Sequence, residues 1–160
     1  MSMQNYVTGN NIKYIIRDIK KIDIQKGQFL RLLENLSSNP IKNKQRAYEI
    51  FKEITSNPLH RIFVAVMKSK SKEIVVGATS LLVEPKFIYE GGRVGHIEDV
   101  VVRVGYEKKG IGAMLVRYAT NIALLHMKCV KIVLDCSNEN MPFYKKMGYS
   151  YQDNCMSIKF

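Results

Sequence analysis

Residues Gly95 to Tyr118, reading GHIEDVVVRVGYEKKGIGAMLVRY, constrain the fold more than any other stretch of the chain. Two carboxylates, Glu98 and Asp99, precede the apolar run Val100-Val101-Val102. A polar loop from Arg103 to Lys109 follows, and then the pair Gly110-x-Gly112. Beyond it, Ile111, Leu115, Tyr118, Ile122 and Leu125 recur at steps of four, three, four and three. That spacing predicts a helix with one buried stripe. The segment therefore reads as strand, glycine loop, helix N-terminus. Backbone N–H groups at such a junction lack intrahelical partners, and the helix dipole adds partial positive charge. Glycines allow the chain to aim several of these donors at one anion.

Three readings of the glycine pair compete. A lone GxG serves as a tight turn before an ordinary helix. A dinucleotide-binding turn needs GxGxxG soon after its strand; here Leu115 lies near the third glycine position and the loop is long, although Asp135 after the next strand suits that reading. A Walker loop is excluded because no Gly-Lys-Ser/Thr follows. The third reading is a pyrophosphate cradle for coenzyme A.

The 160 residues suit one domain able to bury a sizeable core. No apolar run approaches a membrane span, and the start, MSMQNYVTGNN, lacks the apolar core of a signal peptide. Three cysteines, Cys129, Cys136 and Cys155, form no CxxC pair, so reduced thiols in the cytoplasm are expected. The net charge of +11 raises the question of nucleic acid. The cations are scattered, however, at Lys20-Lys21, Lys42 to Arg46, Lys68 to Lys72, Lys108-Lys109 and Lys145-Lys146, with no basic helical stripe and no RNP or zinc motif. No nucleic-acid role is expected. His60, His96 and His126 show no metal-ligand spacing, so no metal is expected either.

In chain order, Asn11 to Ile19 reads as a strand, and Asp23 as the N-cap of a helix presenting Phe29, Leu32, Leu33 and Leu36. Ser37-Ser38-Asn39-Pro40 ends that helix. A second helix, Gln45 to Ile54, turns Ala47, Ile50, Phe51 and Ile54 inward and stops at Asn57-Pro58. Ile62 to Met67 and Ile74 to Val83 form a hairpin, and a Gly91-Gly92 turn leads to the strand Ile97 to Arg103. After the central helix, the nearly continuous apolar run Val130 to Cys136 predicts a strand covered on both faces. A short helix, Asn140 to Met147, and one or two closing strands within Tyr149 to Phe160 complete an α/β domain with a mixed sheet.

Several local sequences carry a family likeness. Glu107-Lys108-Lys109-Gly110-Ile111-Gly112 resembles the Gln/Arg-x-x-Gly-x-Gly/Ala loop of GNAT N-acetyltransferases, with Glu107 where Gln or Arg is usual. His96-Ile97-Glu98-Asp99, Leu134-Asp135-Cys136 and Asn140-x-x-Phe143-Tyr144-x-Lys146-x-Gly148-Tyr149 resemble the glucosamine 6-phosphate N-acetyltransferases within that superfamily. The resemblance runs from Leu81 to Lys159, and the first sixty residues match only in layout. It implies the GNAT fold, a mixed and mostly antiparallel sheet flanked by helices with a central β-loop-α pyrophosphate unit. It also implies acetyl transfer from acetyl-CoA to the 2-amino group of glucosamine 6-phosphate, by a cytoplasmic homodimer. Two alternatives stay open: a GNAT enzyme for another amine, and a non-catalytic coenzyme A-binding module.

Residue roles follow from the same resemblance. Val100, Val101 and Val102, the loop Glu107, Lys108, Lys109, Gly110, Ile111, Gly112 and Ala113, and Asn140 and Phe143 would contact acetyl-CoA. Tyr144 would also contact it and would stabilise or protonate the leaving thiolate. Glu98 and Asp135 are assigned to holding and deprotonating the amine, without a choice between them as base. Glu98 and Asp99, neighbours on a strand, point to opposite faces, so one faces the acceptor and the other a second layer or partner subunit. Ser37 matches a substrate-loop hydroxyl, and Lys159 stands where a terminal arginine would hold the phosphate. Lys86, Phe87, Ile88 and Tyr89 correspond to a sugar-contacting segment reaching the partner's site.

Overall fold

The computed structural model describes residues 4–7, 13–69 and 72–158. Six strands form one sheet in sequential order: β1 (Gln4–Val7), β2 (Lys13–Asp18), β3 (His60–Ser69), β4 (Lys72–Pro85), β5 (Arg93–Val102) and β6 (Cys129–Val133). Strands β1 to β5 pair antiparallel, and β5 pairs with β6 in parallel. The parallel pair requires a crossover, which α4 (Ile111–Asn121) supplies. The mixed sheet flanked by helices is the expected architecture.

Each face of the sheet buries its own set of side chains. On one side Ile111, Leu115, Val116, Tyr118 and Ala119 of α4 pack against Tyr14, Ile16, Phe63, Ala65, Val76, Leu81 and Ile97. On the other, α1 (Lys21–Gln25), α2 (Gln28–Leu33) and α3 (Lys44–Ser56) cover Ile62, Val64, Val66, Val75, Ala78 and Val101. Alternation along β3 and β5 divides the residues between the two faces. Thus Val101 enters the second cluster, while Val100 and Val102 pack against the first.

Several expectations are corrected. The first strand is Lys13–Asp18, not Asn11 to Ile19, and β1 pairs with it in a hairpin that was not anticipated. The helix expected from Asp23 is two short helices, because Gly27 takes φ 65 between them. Asp23 is no N-cap but lies within α1, where its Oδ2 accepts from Lys20 N at 2.7 Å. Its carboxylate also receives a two-pronged bond from Arg17, at 2.7 and 2.9 Å, and both residues are buried. Removing either partner would strand a buried charge, a loss of about 3–5 kcal/mol.

In α3, Ile50 does not join the inward set, whereas Ala47, Phe51 and Ile54 do. Strand β5 begins at Arg93, four residues before the expected Ile97. The stripe of α4 does not extend to Leu125: a π-helical turn, Ile122–His126, shifts the helix phase. Leu125 is left exposed while Ala123 is buried. Strand β6 is not covered on both faces, since Val130 is 60% exposed on what is, among the described residues, the edge of the sheet. Residues 149–158 contain no strand, contrary to the expected closing strands.

Candidate active site

The site grows from an irregularity between β4 and β5. Ala78 pairs with Val101 and Ser80 with Glu98, so three steps on β5 match two on β4. This bulge bends β5 and puts Asp99 in the left-handed region at φ 53. Glu98 and Asp99 are both exposed there. Below the bulge β5 ends at Val102, and the chain turns through Arg103, whose guanidinium Nε donates to Val75 O at 2.9 Å.

The loop that follows is held by its own side chains. Glu107 accepts from the Gly105 N–H at 2.6 Å, and Lys109 Nζ donates to Gly105 O at 2.8 Å while lying over the Tyr106 ring. Glu107 is therefore a structural brace of the loop, a role not anticipated from its charge. Gly110 caps α4 at φ 80, a conformation that disfavours any side chain. The first turn of α4 contains no acid, so its leading N–H groups and dipole face outward uncompensated. A Cβ on Gly112 would stand 3.4 Å from Phe143 Cζ and 3.6 Å from Val102 Cγ2. The helix start, the end of β5 and the Phe143 ring thus meet at one point, and this cradle suits a pyrophosphate. Ile111 and Val101 point into the core, so only their backbones are available to a ligand.

Phe143 belongs to α5 (Met141–Lys145), which follows a 3-10 turn, Asn138–Asn140. Asn140 is exposed at the start of α5, and its Nδ2 donates to Ser137 Oγ at 3.2 Å. The next side chain, Tyr144, meets Phe143 edge to face at 4.9 Å and Tyr149 at 6.1 Å between centroids. Tyr149 is tied to Thr120 of α4 by a 2.7 Å hydroxyl contact. Burial pushes the Tyr144 hydroxyl up, with Cys136 and Tyr149 adding to the shift, so it stays protonated and able to donate.

Tyr144 and Asp135 line one cavity of about 580 Å³, together with His96, Lys131, Lys145 and Cys155. Asp135 lies just past β6, and its Oδ2 accepts from the Cys155 thiol at 3.3 Å. That bond raises the thiol's pKa. Glu98 does not line the cavity, yet its carboxyl is pushed up, first by partial desolvation and then by the charges of Asp135 and Asp99. A carboxylate held above its ordinary range beside a second one suits proton abstraction from an amine.

Other expected residues are less closely gathered. Ser37 sits in the turn after α2, and nearby Asn35 Nδ2 donates to Val102 O at 3.4 Å, holding that turn beside the end of β5. Lys86 pairs with Glu84 at 2.5 Å, and Glu84 also bonds His96 at 3.2 Å. Lys86, Phe87, Ile88 and Tyr89 do not line the cavity of their own chain. Phe87 is fully exposed, and Tyr89 has φ 56. Lys159 lies outside the described residues. Lys131 and Lys145 face the cavity and were not anticipated. The available signal was Lys131 itself, a cation interrupting the apolar run of β6. Among the described residues no three His, Cys, Asp or Glu side chains converge as metal ligands.

Comparison with known proteins agrees with this geometry. The family model described as acetyltransferase (GNAT) family matches residues 28–149. The glucosamine 6-phosphate N-acetyltransferase of Candida albicans is 36% identical over 136 residues, covering 85% of this chain and 89% of that protein. Glucosamine 6-phosphate N-acetyltransferase 1 of Oryza sativa subsp. japonica is 34% identical over 153 residues, covering 95% and 90%. The crystal structure of glucosamine-6-phosphate N-acetyltransferase from Arabidopsis thaliana superposes with a TM-score of 0.83 at 32% identity, covering 92% of this chain and 98% of that one. With its splayed β4–β5 junction, its glycine-capped α4 and these relatives, the chain belongs to the GNAT family of acetyltransferases.

Proposed function

We propose that the protein transfers the acetyl group of acetyl-CoA to the 2-amino group of glucosamine 6-phosphate by direct attack in a ternary complex. The observation that carries this reading is the meeting of Asp135 and Tyr144 in one cavity, beside the helix start that Phe143 joins to β5. Acetyl-CoA supplies the thioester, its pyrophosphate lying on the N–H groups of Gly110 to Ala113 and its arm running along Val100 to Val102. A backbone N–H of that strand faces the thioester oxygen, where negative charge develops. Glu98 and Asp135 hold the amine and accept its proton. The Tyr144 hydroxyl donates to the sulfur as the thiolate departs.

The acceptor's phosphate needs cations. Lys131 and Lys145 line the cavity and are well placed for it, and Lys159 is a further candidate. The protein acts as a cytoplasmic homodimer, in which Lys86, Phe87, Ile88 and Tyr89 of one subunit reach the other subunit's acceptor. Support for that assembly comes from the exposure of Phe87, Ile88 and Val130 next to the open edge of β6.

The test is an acceptor screen that follows thiol release from acetyl-CoA. Glucosamine 6-phosphate is expected to give the fastest turnover among aminosugars, polyamines and peptide N-termini. Faster turnover of another amine would replace the acceptor, and acetyl-CoA binding without turnover of any amine would reduce the protein to a binding module.

A further inference from the structure

Thr79 is fully buried in β4, opposite the bulge, where it alone faces Asp99 and Val100. Its hydroxyl donates to the Glu98 carbonyl at 3.0 Å, with a longer contact of 3.5 Å to Ser80 O. A buried hydroxyl is costly unless it is bonded, and valine would fill the same volume without that demand. The bond falls on the peptide between Glu98 and Asp99, just before the residue at φ 53. A bulge interrupts the regular ladder, so a side-chain donor here replaces support that pairing no longer gives. Turning that peptide would move the Glu98 carboxylate on one side and the N–H groups from Val100 onward on the other.

We propose that Thr79 is a positioning residue for the acetyl-transfer reaction, its hydroxyl locking the β5 bulge so that Glu98 and the strand N–H at the thioester oxygen are aimed together. The proposal rests on the reaction assigned above. Thr79 touches neither substrate and acts through the Glu98 peptide.

The experiment compares full-length wild type, Thr79→Val and Thr79→Ser. It reads kcat, both KM values, the acid limb of the pH–rate profile, and calorimetric affinities for acetyl-CoA and CoA. Thr79→Val is expected to lower kcat about ten- to a hundredfold, the scale of a misplaced reacting group or a weakened oxyanion donor. KM for glucosamine 6-phosphate should stay within about threefold, because uniform binding is untouched. The acid limb should move toward the ordinary carboxylate range as Glu98 leaves its partly desolvated place, and discrimination of acetyl-CoA from CoA should shrink. Thr79→Ser, which keeps the donor, should restore both readouts.

Wild-type kcat and an unmoved acid limb in a folded Thr79→Val protein would overturn the proposal. So would equal loss in Thr79→Val and Thr79→Ser, which would make the site one of packing alone. If Val prevents folding, Thr79→Ala deletes the same hydroxyl with a smaller group and is read in the same way. Failure of wild type to acetylate glucosamine 6-phosphate would instead refute the assigned acceptor; the acetyl-CoA and CoA affinities would then still decide the role of Thr79.

Discussion

Gly112 offers a sharp test of the cofactor cradle, because its two natural replacements differ by contacts that can be worked out. An alanine Cβ would sit 3.4 Å from Phe143 Cζ and 3.6 Å from Val102 Cγ2, at the near edge of ordinary contact. Replacing glycine within a helix also favours the helix by up to about 1 kcal/mol. Gly112→Ala should therefore fold with unchanged or slightly raised stability. Valine extends two methyls from the same Cβ, each about one bond length farther out. With Phe143 on one side and Val102 on the other, they cannot both be seated unless the ring swings away. Overpacking of this kind costs about 1–3 kcal/mol. The displaced ring is the one that joins α5 to the helix start, so pyrophosphate binding should suffer more than the fold. Thermal melts and calorimetry with acetyl-CoA separate the two effects, and KM should rise far more for acetyl-CoA than for the sugar. A Gly112→Val protein that binds acetyl-CoA as tightly as wild type would refute the cradle.

Three further outcomes follow from the same geometry. Glu107→Gln should weaken acetyl-CoA binding modestly by loosening the bond to the Gly105 N–H, and calorimetry showing tighter binding would make charge repulsion the larger effect. Glu98 is held above its ordinary carboxyl range, so the folded state grips that proton more firmly than the unfolded chain. Its contribution to stability is therefore full below about pH 4.3, the unfolded value, and is lost as pH rises through the raised one. Glu98→Gln should raise Tm at pH 7 but not at pH 4, and an equal offset at both would contradict the shift. Tyr144→Phe deletes a donor used only as the thiolate departs, so kcat should fall roughly ten- to a thousandfold with acetyl-CoA affinity preserved. Wild-type kcat in a folded Phe variant, measured where chemistry limits the rate, would remove Tyr144 from the reaction.

The centre of the fold was legible because its signal is local. A buried stripe at helical spacing announced α4, and Gly110 with Gly112 marked the helix start, where φ 80 at Gly110 leaves little choice of residue. Asp135 and Tyr144 were found through their motifs, and both line the cavity. What escaped depends on distant parts of the chain. Gly27 splits the first helix, yet an isolated glycine does not reveal its φ. Burial of Asp23 is fixed by Arg17, a partner on β2 that periodicity cannot show. Strand β6 carries the apolar run of a covered strand but lies at an open edge, a mismatch consistent with the proposed dimer. Lys131 was missed because a lone lysine in a strand does not reveal which cavity it faces.

The central claim is that this cavity recognises an aminosugar phosphate and acetylates it. The most direct measurement is kcat/KM for glucosamine 6-phosphate against unphosphorylated glucosamine, in wild type and in Lys131→Ala. One charge-assisted phosphate contact is worth about 1.5–3 kcal/mol, so wild type should prefer the phosphorylated sugar by roughly ten- to a hundredfold or more. Lys131→Ala should erode that preference while leaving glucosamine nearly unaffected. Equal kcat/KM for the two sugars in wild type would contradict the account.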